Sequence, residues 1–268
     1  MTFEIQAHRG ARAFYPENTL EAFRKAADLG CPVIELDLAV SQDHQLVVSH
    51  DLWIPDSRFP QSGRRRKRLL YDMPYEEIAA YDCGMVSPDF PEQIRIHACK
   101  PRLGEVFASV ERHLGQLGRP GAMIYNLEVK SLPGRDGIEH PSPDLYAALV
   151  MDAIQRSGLV SRIRVQSFDY RILQESNRLD RRLSYGLLID TPGVLQPMLG
   201  RLAFAPEYVN PRVSLLDGQF VEALHDEGFR VVAWTVNSRV EMLRMKRIGA
   251  DGIITDHPEL ALSLEELS

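Results

Sequence analysis

The sequence predicts an α/β protein, a TIM barrel of eight parallel strands each followed by a helix, and three observations lead there. Short apolar runs alternate with amphipathic stretches from one end of the chain to the other, the signature of βα units around a parallel sheet. The length of 268 residues with 44% apolar content suits one large core, and such barrels run to about 250 residues as a single domain. Finally, nine strand-like runs reduce to eight parallel strands once one of them is assigned to a hairpin.

Taken in order, Phe3–Ala7 is the first strand, and a helix over Thr19–Leu29 follows, with Asn18 or Thr19 as its cap and Gly30 as its stop. Val33–Val40 is the second strand. Leu46–Ser49 comes next, separated from it only by the five residues Ser41 to Gln45, whereas a parallel crossover needs about a dozen or more. The two runs therefore form an antiparallel hairpin turning near Asp43, which returns His50 to the neighbourhood of Glu35 and Asp37. Residues 51 to about 101 break the βα rhythm. They carry several prolines, the basic run Arg64 to Arg68 and one helical stretch at Tyr75–Tyr81, and they read as a cap inserted after the second strand, at the active face. The rhythm resumes with helix Leu103–Leu117 and strand Met123–Val129, helix Asp144–Gly158 and strand Ile163–Phe168, then helix Tyr170–Leu179 and strand Leu183–Ile189. Strand Tyr208–Asn210, helix Leu215–Glu227, strand Val231–Val236, helix Arg239–Ile248 and strand Gly252–Thr255 complete the count. Residues 1–268 are expected to form one domain.

Composition narrows the class of function. A net charge of −6 and a pI near 5.8 argue against nucleic acid as a partner. Cys31, Cys83 and Cys99 show no CxxC spacing and suggest no disulfide framework. Only Met1 to Ala7 precede His8, too few for a cleavable signal, and no apolar run of about 18 residues is present to span a membrane. A cytoplasmic protein with no transmembrane segment is expected.

Chemistry concentrates at strand ends. His8 and His50 each close an apolar run and open a polar turn, and imidazole, with an ordinary pKa of roughly 6.5, gives or takes protons near neutrality. Glu35 and Asp37 lie two apart on one strand and so point the same way, as do Glu128 and Lys130 on another, leaving Leu36 and Val129 to face the helices. Carboxylates turned into a barrel require a partner. Their hard oxygens suit Mg²⁺ or Ca²⁺, with Mn²⁺ as a third choice, better than zinc.

With these segments assembled, the chain resembles the glycerophosphodiester phosphodiesterase family. The likeness rests on Ala7-His8-Arg9-Gly10, Pro16-Glu17-Asn18-Thr19 with Ala22-Phe23, Ile34-Glu35-Leu36-Asp37, His50-Asp51, Leu127-Glu128-Val129-Lys130, Gln166-Ser167-Phe168-Asp169, Trp234-Thr235-Val236-Asn237 and Gly252 to Asp256, in the family's order. The resemblance implies a barrel with one divalent cation held by Glu35, Asp37 and Glu128. It also implies that His8 and His50 are the acid/base pair that cleaves a small phosphodiester into an alcohol and sn-glycerol 3-phosphate. Arg9 is then a candidate bidentate phosphate clamp, Lys130 a second positive charge and Trp234 a flat wall for glycerol carbons. Glu17 and Asn18 are candidates to position substrate or to support the metal ligands. The chain departs from the family after His50-Asp51, where it reads Leu52-Trp53-Ile54-Pro55, and again at Lys100 to Glu105, so the cap is its own.

Simpler readings stand beside these. Lys130 serves equally to neutralise the carboxylates, Trp234 to pack against the cap, and the basic run as a solvated stretch. Alternative functions are a lysophospholipase D-like enzyme using the same residues, an aldolase forming a Schiff base on Lys130, and a noncatalytic phosphoester-binding barrel. The sequence does not fix the oligomeric state, the direction of each proton transfer, or the choice between direct water attack and a cyclic phosphate.

Overall fold

The computed structural model describes residues 2–55 and 67–267. The chain runs β1 (Glu4–Ala7), α1 (Leu20–Asp28), β2 (Val33–Val40), β3 (Leu46–Val48), β4 (Trp53–Pro55), β5 (Lys67–Leu69), α2 (Tyr75–Ala79), α3 (Leu103–Gln116), β6 (Ile124–Val129), α4 (Pro143–Ser157), β7 (Ile163–Ser167) and α5 (Tyr170–Leu179). It continues through β8 (Ser184–Ile189), α6 (Leu195–Leu199), β9 (Tyr208–Pro211), α7 (Gly218–Asp226), β10 (Arg230–Ala233), α8 (Arg239–Arg247), β11 (Gly252–Thr255) and α9 (Pro258–Leu262). Parallel pairing follows the order β1-β11-β10-β9-β8-β7-β6-β2, and a β1–β2 pairing closes the barrel. The expected TIM barrel is thus present.

The hairpin also forms as expected, and the register explains how the barrel accommodates it. β1 ends at Ala7, paired only as far as Ile34 of β2. Beyond that point β2 has a free edge, and β3 fills it with the antiparallel pairs Leu38 with Val48, Ala39 with Val47 and Val40 with Leu46. The turn is tied by Asp43, whose Oδ1 accepts from the Ser41 hydroxyl at 2.6 Å and from the backbone N–H of Tyr75 at 2.9 Å. The helix at 75 is two residues shorter than predicted, ending at Ala79. Thr19 is the cap of α1, its hydroxyl accepting from the backbone N–H of Ala22 at 3.2 Å.

The insertion builds its own small core. β4 and β5 pair antiparallel, and Leu52, Ile54, Leu70, Met73 and Ile78 pack onto Ala39 and Val47 of the hairpin. These two strands, α6 and α9 span three to five residues each, too short for a periodic pattern to announce them. Of the basic run, Arg64 to Arg66 lie outside the described residues, while Arg68 pairs with Glu77 and Lys67 stacks on Trp53.

The main core lies between barrel and helices, where Leu36, Leu127, Val129, Val165 and Val231 are fully or nearly fully buried. The inner face is polar instead. Glu4 and Arg164 form a bidentate pair near the strand starts, and Asn126 and Asn210 donate to Gln6 and Gln166 one layer up. Side-chain alternation carries this face upward from Gln6 to His8, from Gln166 to Phe168 and from Asn126 to Glu128.

Candidate functional site

The turn after β1 places two of the groups. Arg9 and Gly10 both take positive φ, 55° and 85°. A Cβ on Gly10 would stand 2.7 Å from the Ala22 carbonyl carbon, so only glycine allows the turn to lie this close to α1. In that conformation the Arg9 backbone N–H donates to Glu35 Oε2 at 3.0 Å.

Glu35 and Asp37 rise from β2, and Glu128 from β6 stands directly opposite Asp37. The three offer ligand oxygens within 4.8 Å of one another, all buried. Burial, and then the charges of Asp37 and Glu128, hold the Glu35 carboxyl well above its ordinary range. Burial also pushes Asp37 up, but Arg9, Lys130, His50 and the Asn18 hydrogen bond outweigh it, so this carboxyl lies below its ordinary range. Asp37 Oδ1 is buried and accepts no hydrogen bond among the described residues. Three carboxylates therefore face two cations: Lys130 Nζ lies 2.6 Å from Glu128 and 3.4 Å from Asp37, and Arg9 Nε lies 3.2 Å from Asp37. An acidic cluster of hard oxygen ligands, one of them a buried oxygen that accepts no hydrogen bond and, among the described residues, has only the Lys130 ammonium nearby, fits a divalent cation.

The histidines are held differently. His8 Nδ1 is 2.6 Å from Asp256 Oδ1, and Asn237 donates to the other oxygen of that carboxylate at 2.7 Å. Burial alone would raise Asp256, but the His8 hydrogen bond and charge, Arg12 and Asn237 bring it below the ordinary carboxylate range. With Nδ1–H donating to Asp256, Nε2 is the ring nitrogen left for substrate. His50 is 37% exposed at its side chain and pairs with Asp51 at 3.1 Å. The hairpin brings it in as predicted: Ser49 N–H donates to the Asp37 carbonyl at 3.0 Å, and Lys100 Nζ to the Ser49 hydroxyl at 2.8 Å.

A cavity of about 190 Å³ is lined by His8, Arg9, Glu35, His50, Glu128, Lys130 and Trp234. One barrel end thus gathers seven of the ten sequence-predicted site residues. The other three stand behind it. Asn18 donates to Asp37 Oδ2 at 2.9 Å and is buried, so it braces a carboxylate and does not line the cavity. Glu17 grips the guanidinium groups of Arg9 and Arg12. That grip leaves Arg9 with Nη1 and Nε already on carboxylates, so a two-pronged phosphate clamp is not what its geometry offers. Asp37 does not itself line the cavity, but Lys130, which does, lies 3.4 Å from it. Trp234 packs edge-on against Phe168 with centroids 5.4 Å apart and donates from Nε1 to the Asn210 carbonyl; its neighbour is a barrel residue, not the cap.

Sequence reasoning missed Asp256 as the partner of His8, although it lies on the inner-face alternation of β11, two residues past Ile254. Phe168, Leu188 and Gln166 also line the cavity and follow from the same parity. His140, by contrast, is fully buried and hydrogen-bonded to loop backbone groups, away from the cavity. A larger cavity of about 770 Å³ lies on the outer surface between α3 and α4, away from all of these groups.

The family model for the glycerophosphoryl diester phosphodiesterase family matches residues 8–260. The chain belongs to the glycerophosphoryl diester phosphodiesterase family. Among curated proteins it is 30% identical to a glycerophosphodiester phosphodiesterase of Caldanaerobacter subterraneus subsp. tengcongensis, over 97% of this chain and 96% of that protein. A solved structure from Silicibacter pomeroyi DSS-3, placed among glycerophosphoryl diester phosphodiesterases, has 28% identity and a TM-score of 0.83, covering 97% of this chain and 92% of the other. The glycerophosphodiester phosphodiesterase of Thermotoga maritima has 25% identity and a TM-score of 0.68, with 97% of each chain covered. This member of the family is thereby an enzyme of the phosphodiester hydrolase class. Among its described residues no helix is long and apolar enough to cross a membrane.

Proposed function

We propose that the protein hydrolyses small glycerophosphodiesters to an alcohol and sn-glycerol 3-phosphate, with His8 and His50 as the acid/base pair and one divalent cation, Mg²⁺ or Ca²⁺, held by Glu35, Asp37 and Glu128. The observation that carries this reading is the shared cavity: both histidines line it with Glu35 and Glu128, so one phosphorus can lie within reach of two proton-transfer groups and an acidic cluster. When bound, the cation would withdraw charge from the phosphoryl oxygens and orient them. Lys130 adds fixed positive charge, Arg9 contributes through its remaining Nη2, and Trp234 gives the glycerol carbons an apolar wall. One histidine takes a proton from the attacking hydroxyl while the other returns one to the departing oxygen. Asp256 keeps His8 in the tautomer and orientation that this exchange needs, as a positioning residue. The insertion at 51–101 belongs to the same catalytic domain, and the setting is cytoplasmic, in keeping with free Cys31, Cys83 and Cys99.

The aldolase reading fails on charge. Burial favours a neutral amine, but Glu128 and Asp37 hold the Lys130 ammonium above its ordinary range, whereas a Schiff-base lysine must be a free amine. The deciding experiment is release of glycerol 3-phosphate from glycerophosphocholine by wild type, His8→Ala and His50→Ala. Turnover by the wild type and its loss in both variants supports the assignment; unimpaired turnover in either variant removes that histidine from the mechanism.

A further inference from the structure

Arg12 does not line the cavity that holds both histidines, yet it reaches the carboxylate that orients one of them. Its Nη1 lies 3.4 Å from Asp256 Oδ1, the same oxygen that stands 2.6 Å from His8 Nδ1. The other oxygen of Asp256 is held by Asn237 at 2.7 Å. The two ends of the carboxylate are thus fixed from different elements, one by the loop after β10 and the other by the loop after β1. Charge-assisted N–H···O bonds are ordinarily about 2.7–2.9 Å. At 3.4 Å the guanidinium attracts Oδ1 and leaves the imidazole as its nearest partner.

What seats Arg12 is the insertion. Between α2 and α3 the chain folds back on itself, Cys83 N–H donating to the Ala98 carbonyl at 2.7 Å and Ile96 N–H to the Gly84 carbonyl at 3.2 Å. The far end of this fold-back is fastened to the loop after β1. Gln93 is buried and donates from Nε2 to the carbonyls of Arg12 and Tyr15 at 2.6 and 3.1 Å, while its Oε1 accepts from Ser87 N–H at 2.8 Å. Ile94 N–H donates to the Phe14 carbonyl at 2.8 Å. Phe90 is thereby brought against the Arg12 guanidinium, with Cζ 4.8 Å from the ring centroid, a cation–π contact. The same ring meets that of His257, the residue after Asp256, at 5.8 Å. Glu17 Oε2 stands 2.8 Å from Arg12 Nε. A long side chain with many rotamers is so confined to one direction, and that direction ends on Asp256.

We propose that Arg12 is a positioning residue for the His8–Asp256 pair and that residues 82–98 are the clamp that seats it, so that the insertion acts in proton transfer at His8. This inference rests on the role proposed above for His8. A competing route runs through Glu17, which also grips Arg9; a disturbance along it would reach the bound phosphate and raise KM.

On glycerophosphocholine with Mg²⁺ present, Arg12→Ala lowers kcat about 10- to 100-fold with KM within about twofold of wild type. Arg12→Lys recovers part of the loss, because it returns the charge without the planar fork. Phe90→Leu keeps apolar bulk, loses the π face and lowers kcat in the same direction. Two backgrounds test the route: Phe90→Leu costs nothing further in Arg12→Ala, and Arg12→Ala costs nothing further in Asp256→Asn. The ¹⁵N shifts of the neutral His8 ring, identified by their loss in His8→Ala, read the pair without turnover. They report one tautomer, with the proton on Nδ1, in the wild type and a mixture in Arg12→Ala and Phe90→Leu. That change of tautomer together with no hydrolysis of any diester would uphold the clamp and overturn the hydrolytic reading. Additive losses in both backgrounds, a rise in KM alone, or the same tautomer balance in all three proteins would overturn the clamp, whatever the rate on glycerophosphocholine.

Discussion

His8 is backed by a buried carboxylate and His50 by a half-exposed one, and the contrast sets what substitutions at each should do. His8→Ala and His50→Ala are expected to lower kcat by about 10²–10⁴ with unchanged far-UV circular dichroism. Because Asp256 is buried and triply engaged while Asp51 is half exposed, Asp256→Asn should cost markedly more kcat than Asp51→Asn, with KM little changed; equal effects would remove the orienting role. Asp256 also predicts a pH dependence. Its folded-state carboxyl is held below the ordinary range, so the stability it contributes is complete above the unfolded value of about 3.9 and is lost as pH falls toward the folded one. The advantage of wild type over Asp256→Asn in urea should therefore be constant above about pH 5 and shrink steadily as pH falls below about 4. An advantage that does not change with pH would contradict this. At this scale the sequence shows what alternation shows: Glu35 with Asp37, and Glu128 with Lys130, share a face by parity alone. It does not show partners 248 residues apart such as His8 and Asp256, nor that Glu17 and Asn18 turn toward Arg9 and Asp37, because all of these are facts of packing across strands.

At the scale of elements, the β2–β3 hairpin and the turn after β1 deliver the site. Gly10→Ala puts a methyl group into the backbone of Ala22 at a positive φ, and is expected to destabilise the fold by more than about 1 kcal/mol while lowering kcat, since His8 and Arg9 flank the position. Thermal unfolding and steady-state kinetics on the same sample check both effects, and a variant with unchanged stability would show that the close approach to α1 is not required. The hairpin was legible because five residues cannot make a parallel crossover. The insertion was legible only as an interruption: its strands are three residues long and owe their existence to packing of Leu52, Ile54 and Leu70 on the hairpin, not to a pattern of their own. Thr19 over Asn18 as the helix cap was likewise decided by geometry, Asn18 being committed to Asp37.

Across the whole molecule, the barrel brings residues from both ends of the chain to one mouth, with β1 and β11 adjacent and β2 and β6 beside them. The βα rhythm and the length made this closure predictable, because eight parallel units of this size have one common way to bury their apolar faces. The polar inner face was not predicted as such, since Gln6, Asn126, Gln166 and Asn210 are each unremarkable until the barrel stacks them. A cluster with three carboxylates and two cations should gain stability from a bound cation, so added Mg²⁺ or Ca²⁺ is expected to raise Tm, in proportion to RT ln(1 + [L]/Kd), and Glu35→Gln should abolish that rise. The most direct test of the central claim is hydrolysis of glycerophosphocholine after exhaustive chelation and again after Mg²⁺ or Ca²⁺ is restored. The account predicts no release of glycerol 3-phosphate from the stripped protein and full recovery on metal addition; undiminished hydrolysis by protein shown to be free of metal would contradict it.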